Sequence, residues 1–137
     1  MFLLERSIKS FLLPGSPADD LIDGFNAPLG TFSAKIKMAR ALGIITQEEA
    51  RYTDVMRKIR NIFSHTSKVD LESEDIKKLI GKLSACAWMP EGKRDADAHT
   101  TIYIASQNLI TSFLHRAEHV EKIRLKDRTT PWERGRP

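Results

Sequence analysis

An all-α fold, a single-domain bundle of five or six helices, is what this sequence predicts, and three observations predict it. Apolar residues recur at three- and four-residue steps through most of the chain, which is the period of one helix face. There is no sustained apolar–polar alternation and no Asn-Gly pair, so nothing announces a strand or a hairpin. Turn-forming residues fall between the periodic stretches, in "PGSP", "NAPLG", "HTSKVDLES" and "MPEGKRD". A chain of 137 residues suffices for one domain that buries about two-thirds of its unfolded surface, without a metal or a disulfide.

The elements follow in order. Residues 2–13 make a first helix with Leu4, Ile8, Phe11 and Leu12 on one stripe, stopped by Pro14-Gly15-Ser16-Pro17. Ala18 to Phe25 form a short second helix, with Asp19 and Asp20 in its first turn, where acids complement the helix dipole. Residues 26–30 are a turn. A third helix runs from Thr31 to Leu42, with Phe32, Ile36 and Ala39 inward and Lys35, Lys37 and Arg40 outward or sideways. Gly43 then suits the left-handed position that ends a helix.

Thr46 and Glu49 form the capping box of a fourth helix, each side chain serving the other's backbone N–H. Tyr52, Val55, Met56, Ile59, Ile62 and Phe63 supply its apolar stripe, and Phe63 is expected in the core. Ser73 caps a fifth helix whose core side is Ile76, Leu79, Ile80 and Leu83. A last, long helix spans about 95–126, buried along Ile102, Ala105, Leu109, Phe113, Ala117 and Val120. The bundle domain is therefore 1–126, followed by a disordered basic tail over 127–137.

Composition excludes several classes. Apolar residues are 41% and charged residues 29%, a balance ordinary for soluble domains. No apolar run approaches the roughly 20 residues that cross a bilayer, and Glu5 and Arg6 interrupt the apolar opening. A cytoplasmic protein without membrane contact is expected. The net charge of +4 permits nucleic-acid contact without requiring it. The lone Cys86 sits in the apolar "LSACAWM" and reads as a buried, inert thiol. His115 and His119 share a helix face but lack a third ligand, so no metal and no cofactor is expected. Asp19, Asp20 and Asp23 could pass for a carboxylate cluster, but a helix start explains the first two. Trp88 reads as an apolar loop anchor and Trp132 as a tail residue. There is no phosphate-cradling glycine loop, no zinc spacing and no serine-nucleophile motif.

The most specific stretch is Gly24 to His65. Its pieces are Phe25-Asn26-Ala27-Pro28-Leu29-Gly30, Thr31-Phe32-Ser33-Ala34-Lys35-Ile36-Lys37, Ala41-Leu42-Gly43, and Ile59-Arg60-Asn61 followed by Phe63 and His65. In order and spacing over about forty residues it resembles the mannitol operon repressor family. The resemblance implies an all-helical fold, self-association, and bacterial transcriptional regulation without a recognisable DNA-reading module; a homodimer is expected because the apolar stripes of the fourth and last helices would stay partly exposed in a monomer. The chain fits that description. The third and fourth helices flank "GIIT" much as a helix-turn-helix would, yet the fourth buries a wide apolar stripe and mixes Asp54 with Arg57 and Lys58 on its polar side. Regulation through a protein partner, with direct DNA binding weak or absent, is what the resemblance implies.

The end of the fourth helix, "IRNIFSH", carries the remaining question. Arg60 and His65 also fit the Arg-x4-6-His pattern of HEPN-type ribonucleases, small helical proteins that cleave RNA without metal and serve in some toxin–antitoxin pairs. There histidine moves the proton of the attacking 2′-hydroxyl or the leaving oxygen, arginine steadies the phosphate charge, and a polar residue such as Asn61 orients one of them. At about 100° per residue, Arg60 and His65 point roughly 140° apart on a regular helix. They converge only if the helix unwinds near Ser64, or if two chains bring their motifs together. The alternative is anchoring. Asn61 and His65 would serve carbonyls at the helix end, Arg60 would bridge to an acid, and Asn26 would bond from the packed "NAPLG" turn. Asn26, Arg60, Asn61 and His65 are thus the candidate binding residues, and Arg60, Asn61 and His65 the catalytic candidates if the protein cuts RNA.

Overall fold

The computed structural model describes residues 2–65 and 70–125. Over these the chain is all-helical: α1 (Phe2–Phe11), α2 (Ser16–Ile22), α3 (Phe32–Ala41), α4 (Gln47–His65), α5 (Glu74–Ser84), α6 (Ala98–Leu114) and α7 (Arg116–Ile123), with one 3-10 turn at Glu91–Lys93. The last two are halves of a single broken helix, so the bundle has six helices. The expected tail, with Trp132, lies outside the described residues.

Helix ends follow the local chemistry. Thr31 caps α3, its hydroxyl accepting from the Ala34 N–H at 3.1 Å. At the other end Gly43 takes φ +71°. Its N–H donates to the Arg40 carbonyl at 3.1 Å, and the Ile44 N–H donates to that of Ala39 at 2.9 Å. These two bonds are the paired closure of a helix by a left-handed residue, and they turn Ile44 and Ile45 into the core. Three residues on, the Thr46–Glu49 capping box forms as expected. Glu49 N–H donates to Thr46 Oγ1 at 3.1 Å, and Thr46 N–H donates to Glu49 Oε2 at 2.7 Å. Asp97 opens α6 the same way, accepting from the Thr100 N–H at 3.0 Å. Ser73 stands at the start of α5 but makes no side-chain cap bond.

The core joins Leu4 and Ile8 of α1, Ile36 of α3, Tyr52, Val55 and Ile59 of α4, Leu79 and Leu83 of α5, and Ala105, Leu109 and Phe113 of α6. α4 packs against α3, α5 and α6, while α1 packs on α3, α6 and α7. Trp88 lies against this core, its ring 5.3 Å from that of Tyr52 and inclined at 62°. Cys86 is buried. In the turn before α3, the Leu29 N–H donates to the Leu21 carbonyl at 2.8 Å, pinning α2 to the turn. Glycine suits position 30, since a Cβ there would sit 3.0 Å from the Ala27 carbonyl oxygen and the turn would have to give by a few tenths of an ångström.

Four expectations are corrected. Lys35, expected outward or sideways, is buried. It is 4% exposed and its ammonium lies 2.6 Å from Glu5 of α1, a partner thirty residues away that no local pattern reveals. Phe63 shares the face of Tyr52 and Ile59 but is 44% exposed, because burial on α4 ends one turn before its apolar stripe does. The long last helix breaks at His115, which has φ −101° and ψ 4°. The break lets α6 pack on α4 and α5 while α7 packs on α1. The second helix begins earlier and ends sooner than expected, with Pro17 in its first turn, where a missing N–H costs nothing.

Candidate binding groove

One side of α4 runs along the edge of the core, with Thr53 buried, Met56, Arg57 and Asn61 half-buried and Arg60 exposed. On a regular helix Thr53, Met56, Arg57, Arg60 and Asn61 lie within about 140° of arc. With the start of α1, the start of α3 and the middle of α6 they line a groove of about 620 Å³. α6 runs antiparallel to α4, since Ser112 near its end and Arg116 at the start of α7 meet Glu49 at the start of α4. The groove floor is apolar, formed by Leu3, Leu4, Phe32, Met56, Leu109 and Phe113. Among the described residues its charged lining consists of Arg57 and Arg60.

The two arginines differ. Arg57 is 2.8 Å from Asp54, which also holds Lys58 at 2.9 Å. Burial alone would push the Asp54 carboxyl up, but the bonds from Lys58 and Arg57 outweigh it and hold the group below the usual carboxylate range. Arg60 is exposed and has no ion-pair partner among the described residues. Three of the four lining hydroxyls are already committed. Thr53 Oγ1 donates to the Glu49 carbonyl, Ser106 Oγ donates to that of Ile102, and Thr31 accepts from Ala34.

The residues singled out by sequence are only partly brought together. α4 stays regular to His65, so the unwinding that would let Arg60 meet His65 within one chain does not occur. Ser64 Oγ donates to the Arg60 carbonyl at 2.9 Å, a bond that continues the helix. Arg60 and Asn61 line the groove, and His65 does not. Among the described residues no side-chain hydrogen bond is made by Arg60, Asn61, His65 or Asn26, and Asn26 is exposed in its turn. The anchoring expected of this group is therefore absent from the described residues. His99, His115 and His119 are exposed, and no described cluster of three His, Cys, Asp or Glu side chains is placed to hold a metal.

Sequence reasoning missed a polar knot on the other side of α4. Glu49 is 3% exposed and completes more than its cap. Its carboxylate also accepts from Ser112 Oγ and from the Arg116 guanidinium, which donates in turn to the Ile44 carbonyl at 2.7 Å. Burial raises the Glu49 carboxyl, but hydrogen bonds from Ser112, the Thr46 N–H and Arg116 together bring it below the ordinary range. All its lone pairs are occupied by the fold, so the knot is structural. The only local signal was the capping box, because Arg116 lies 67 residues away.

No protein-family model, curated protein or solved structure matches this chain.

Proposed function

We propose that this chain is a transcriptional regulator of the kind its resemblance to the mannitol operon repressor implies, acting as a self-associating helical module through a protein partner. The observation that carries the reading is the outer face of α6. Tyr103, Ile110 and Leu114 are exposed and point within about 40° of one another at 100° per residue. They stand nearly opposite the buried Thr101 and Ala105. A helix apolar on both sides is one that expects cover on both sides, and an apolar stripe left on a surface marks an interface. Direct base reading is disfavoured. α4 buries its apolar side among three helices, and Asp54 ties up two of the cations on its polar side. The test is a mobility-shift titration on the DNA upstream of the chain's own gene. The expected outcome is weak binding that one sequence shares with another and that collapses with added salt, as phosphate contacts do. Retained preference for one operator at physiological salt would overturn it.

A second reading, a metal-independent ribonuclease of the HEPN type, keeps one supporting observation. Arg60 and His65 are both exposed near the end of α4, which is how each chain would contribute to a composite site between two copies. Incubating RNA with the wild-type protein in EDTA discriminates the two. The regulator leaves RNA intact, whereas a nuclease yields 2′,3′-cyclic phosphate ends and loses that activity in His65→Ala.

A further inference from the structure

The groove between α1, α3, α4 and α6 has the chemistry of a ligand site. We propose that it binds a free single-chain amphiphile with an anionic carboxylate head, the hydrocarbon lying on the groove floor and the carboxylate held by Arg60 with Asn61 beside it. The volume, about 620 Å³, falls within the roughly 300–1,000 Å³ of small-molecule sites, which are mostly apolar with a few polar groups that fix orientation.

Three features select this class. The floor offers Leu3, Leu4, Phe32, Met56, Leu109 and Phe113, against which a sugar or other polyol would strand its hydroxyls without partners. Of the wall hydroxyls, those of Thr53 and Ser106 donate within their own helices and that of Thr31 accepts from Ala34, which leaves Ser33 at the start of α3. Among the described residues the uncommitted polar side chains of the lining are therefore few: Arg60, Asn61 and Ser33. There the charge is of one sign: among the described residues two arginines and no acid line the groove, and of those two arginines Asp54 pairs with Arg57 and not with Arg60. Among the described residues nothing engages the planar fork of Arg60 donors, and that fork matches the two oxygens of a carboxylate. The start of α3, at Phe32 and Ser33, adds the positive end of a helix to the same groove.

The experiment titrates sodium decanoate, below its micellar concentration, into the full chain and follows binding by calorimetry. 1-Decanol serves as the neutral analogue. Vesicles of neutral lipid with and without an anionic lipid serve as the membrane arm. Two variants are used, Arg60→Gln at the head end and Met56→Trp to fill the floor, each checked by thermal melting. Decanoate is expected to bind one to one and more tightly than decanol. Arg60→Gln should weaken decanoate by about ten- to a hundredfold, the worth of a hydrogen bond to a charged group, and leave decanol unchanged. Met56→Trp should weaken both. Equal affinity for decanoate and decanol, or no binding, would overturn the proposal. So would vesicle binding that Met56→Trp abolishes, which would make the groove a membrane contact, or a dimer that Met56→Trp dissociates, which would make it an interface between copies.

Discussion

Glu49 shows what can and cannot be reached from a single residue. Its partnership with Thr46 is legible because both members lie within one turn and the pairing rule is local. Its bonds to Ser112 and Arg116 join α4 to the far end of α6 and the start of α7, and no spacing encodes them. The same holds for Lys35, whose burial follows from Glu5 on a helix thirty residues earlier. Because Glu49 is buried, removing Arg116 strands its carboxylate, whereas Arg116, 23% exposed, keeps water and the Ile44 carbonyl when Glu49 is replaced. Arg116→Ala is expected to lower unfolding free energy by about 3 kcal/mol, the low end for a broken buried pair, and Glu49→Gln by less, in urea titrations. The sign of the pH dependence follows from the depressed Glu49 carboxyl. The unfolded group titrates near 4.3, and the folded one lower, so its stabilisation is complete above about pH 4.3 and disappears as pH falls through the folded value. Wild type should therefore lose stability more steeply with acid below that point than Glu49→Gln does. Parallel acid limbs would show that Glu49 is not the group responsible.

At the scale of elements, the sequence is most legible where punctuation is local. Gly43 and the capping box at Thr46 bracket a four-residue turn, and both behave as their residue types require. A Cβ at Gly43 would meet nothing within 4 Å, so the conformation at φ +71° is the whole reason for glycine. Gly43→Ala should cost about 1–2 kcal/mol, the penalty of a left-handed residue. Gly43→Asn should recover part of that, since asparagine tolerates the region. Equal urea midpoints for wild type and Gly43→Ala would contradict the assignment. The break at His115 was not legible, because the apolar period of α6 continues into Ala117 and Val120 without a Gly or Pro to interrupt it. What bends the chain is tertiary: Arg116 is held by Glu49 and the Ile44 carbonyl, and α7 turns onto α1. The groove was invisible for a related reason. Its lining comes from four elements, and the α4 pattern alone displayed only a face carrying Met56 and Arg60.

At the scale of the whole molecule, the unpaired surface decides the expectation. Tyr103, Ile110 and Leu114 form one outward stripe on α6, and Phe63 lies exposed near the end of the antiparallel α4. A symmetric pair of such stripes, each on a straight helix, meets itself about a two-fold axis with the same residues on both sides. A dimer is therefore expected at micromolar concentration by sedimentation velocity. Tyr103→Asp and Leu114→Asp place a charge on that stripe without touching the buried face of α6 or the groove's arginine end. Each should shift the protein to monomer while its melting curve remains cooperative, because neither residue is part of the core. The net charge of +4 opposes association only weakly at physiological salt, where repulsion beyond about 8 Å is screened, so added salt should change the dimer little. Dissociation by salt, with no effect of Tyr103→Asp, would move the interface away from α6 to a charged surface and remove the main support for a self-associating regulator.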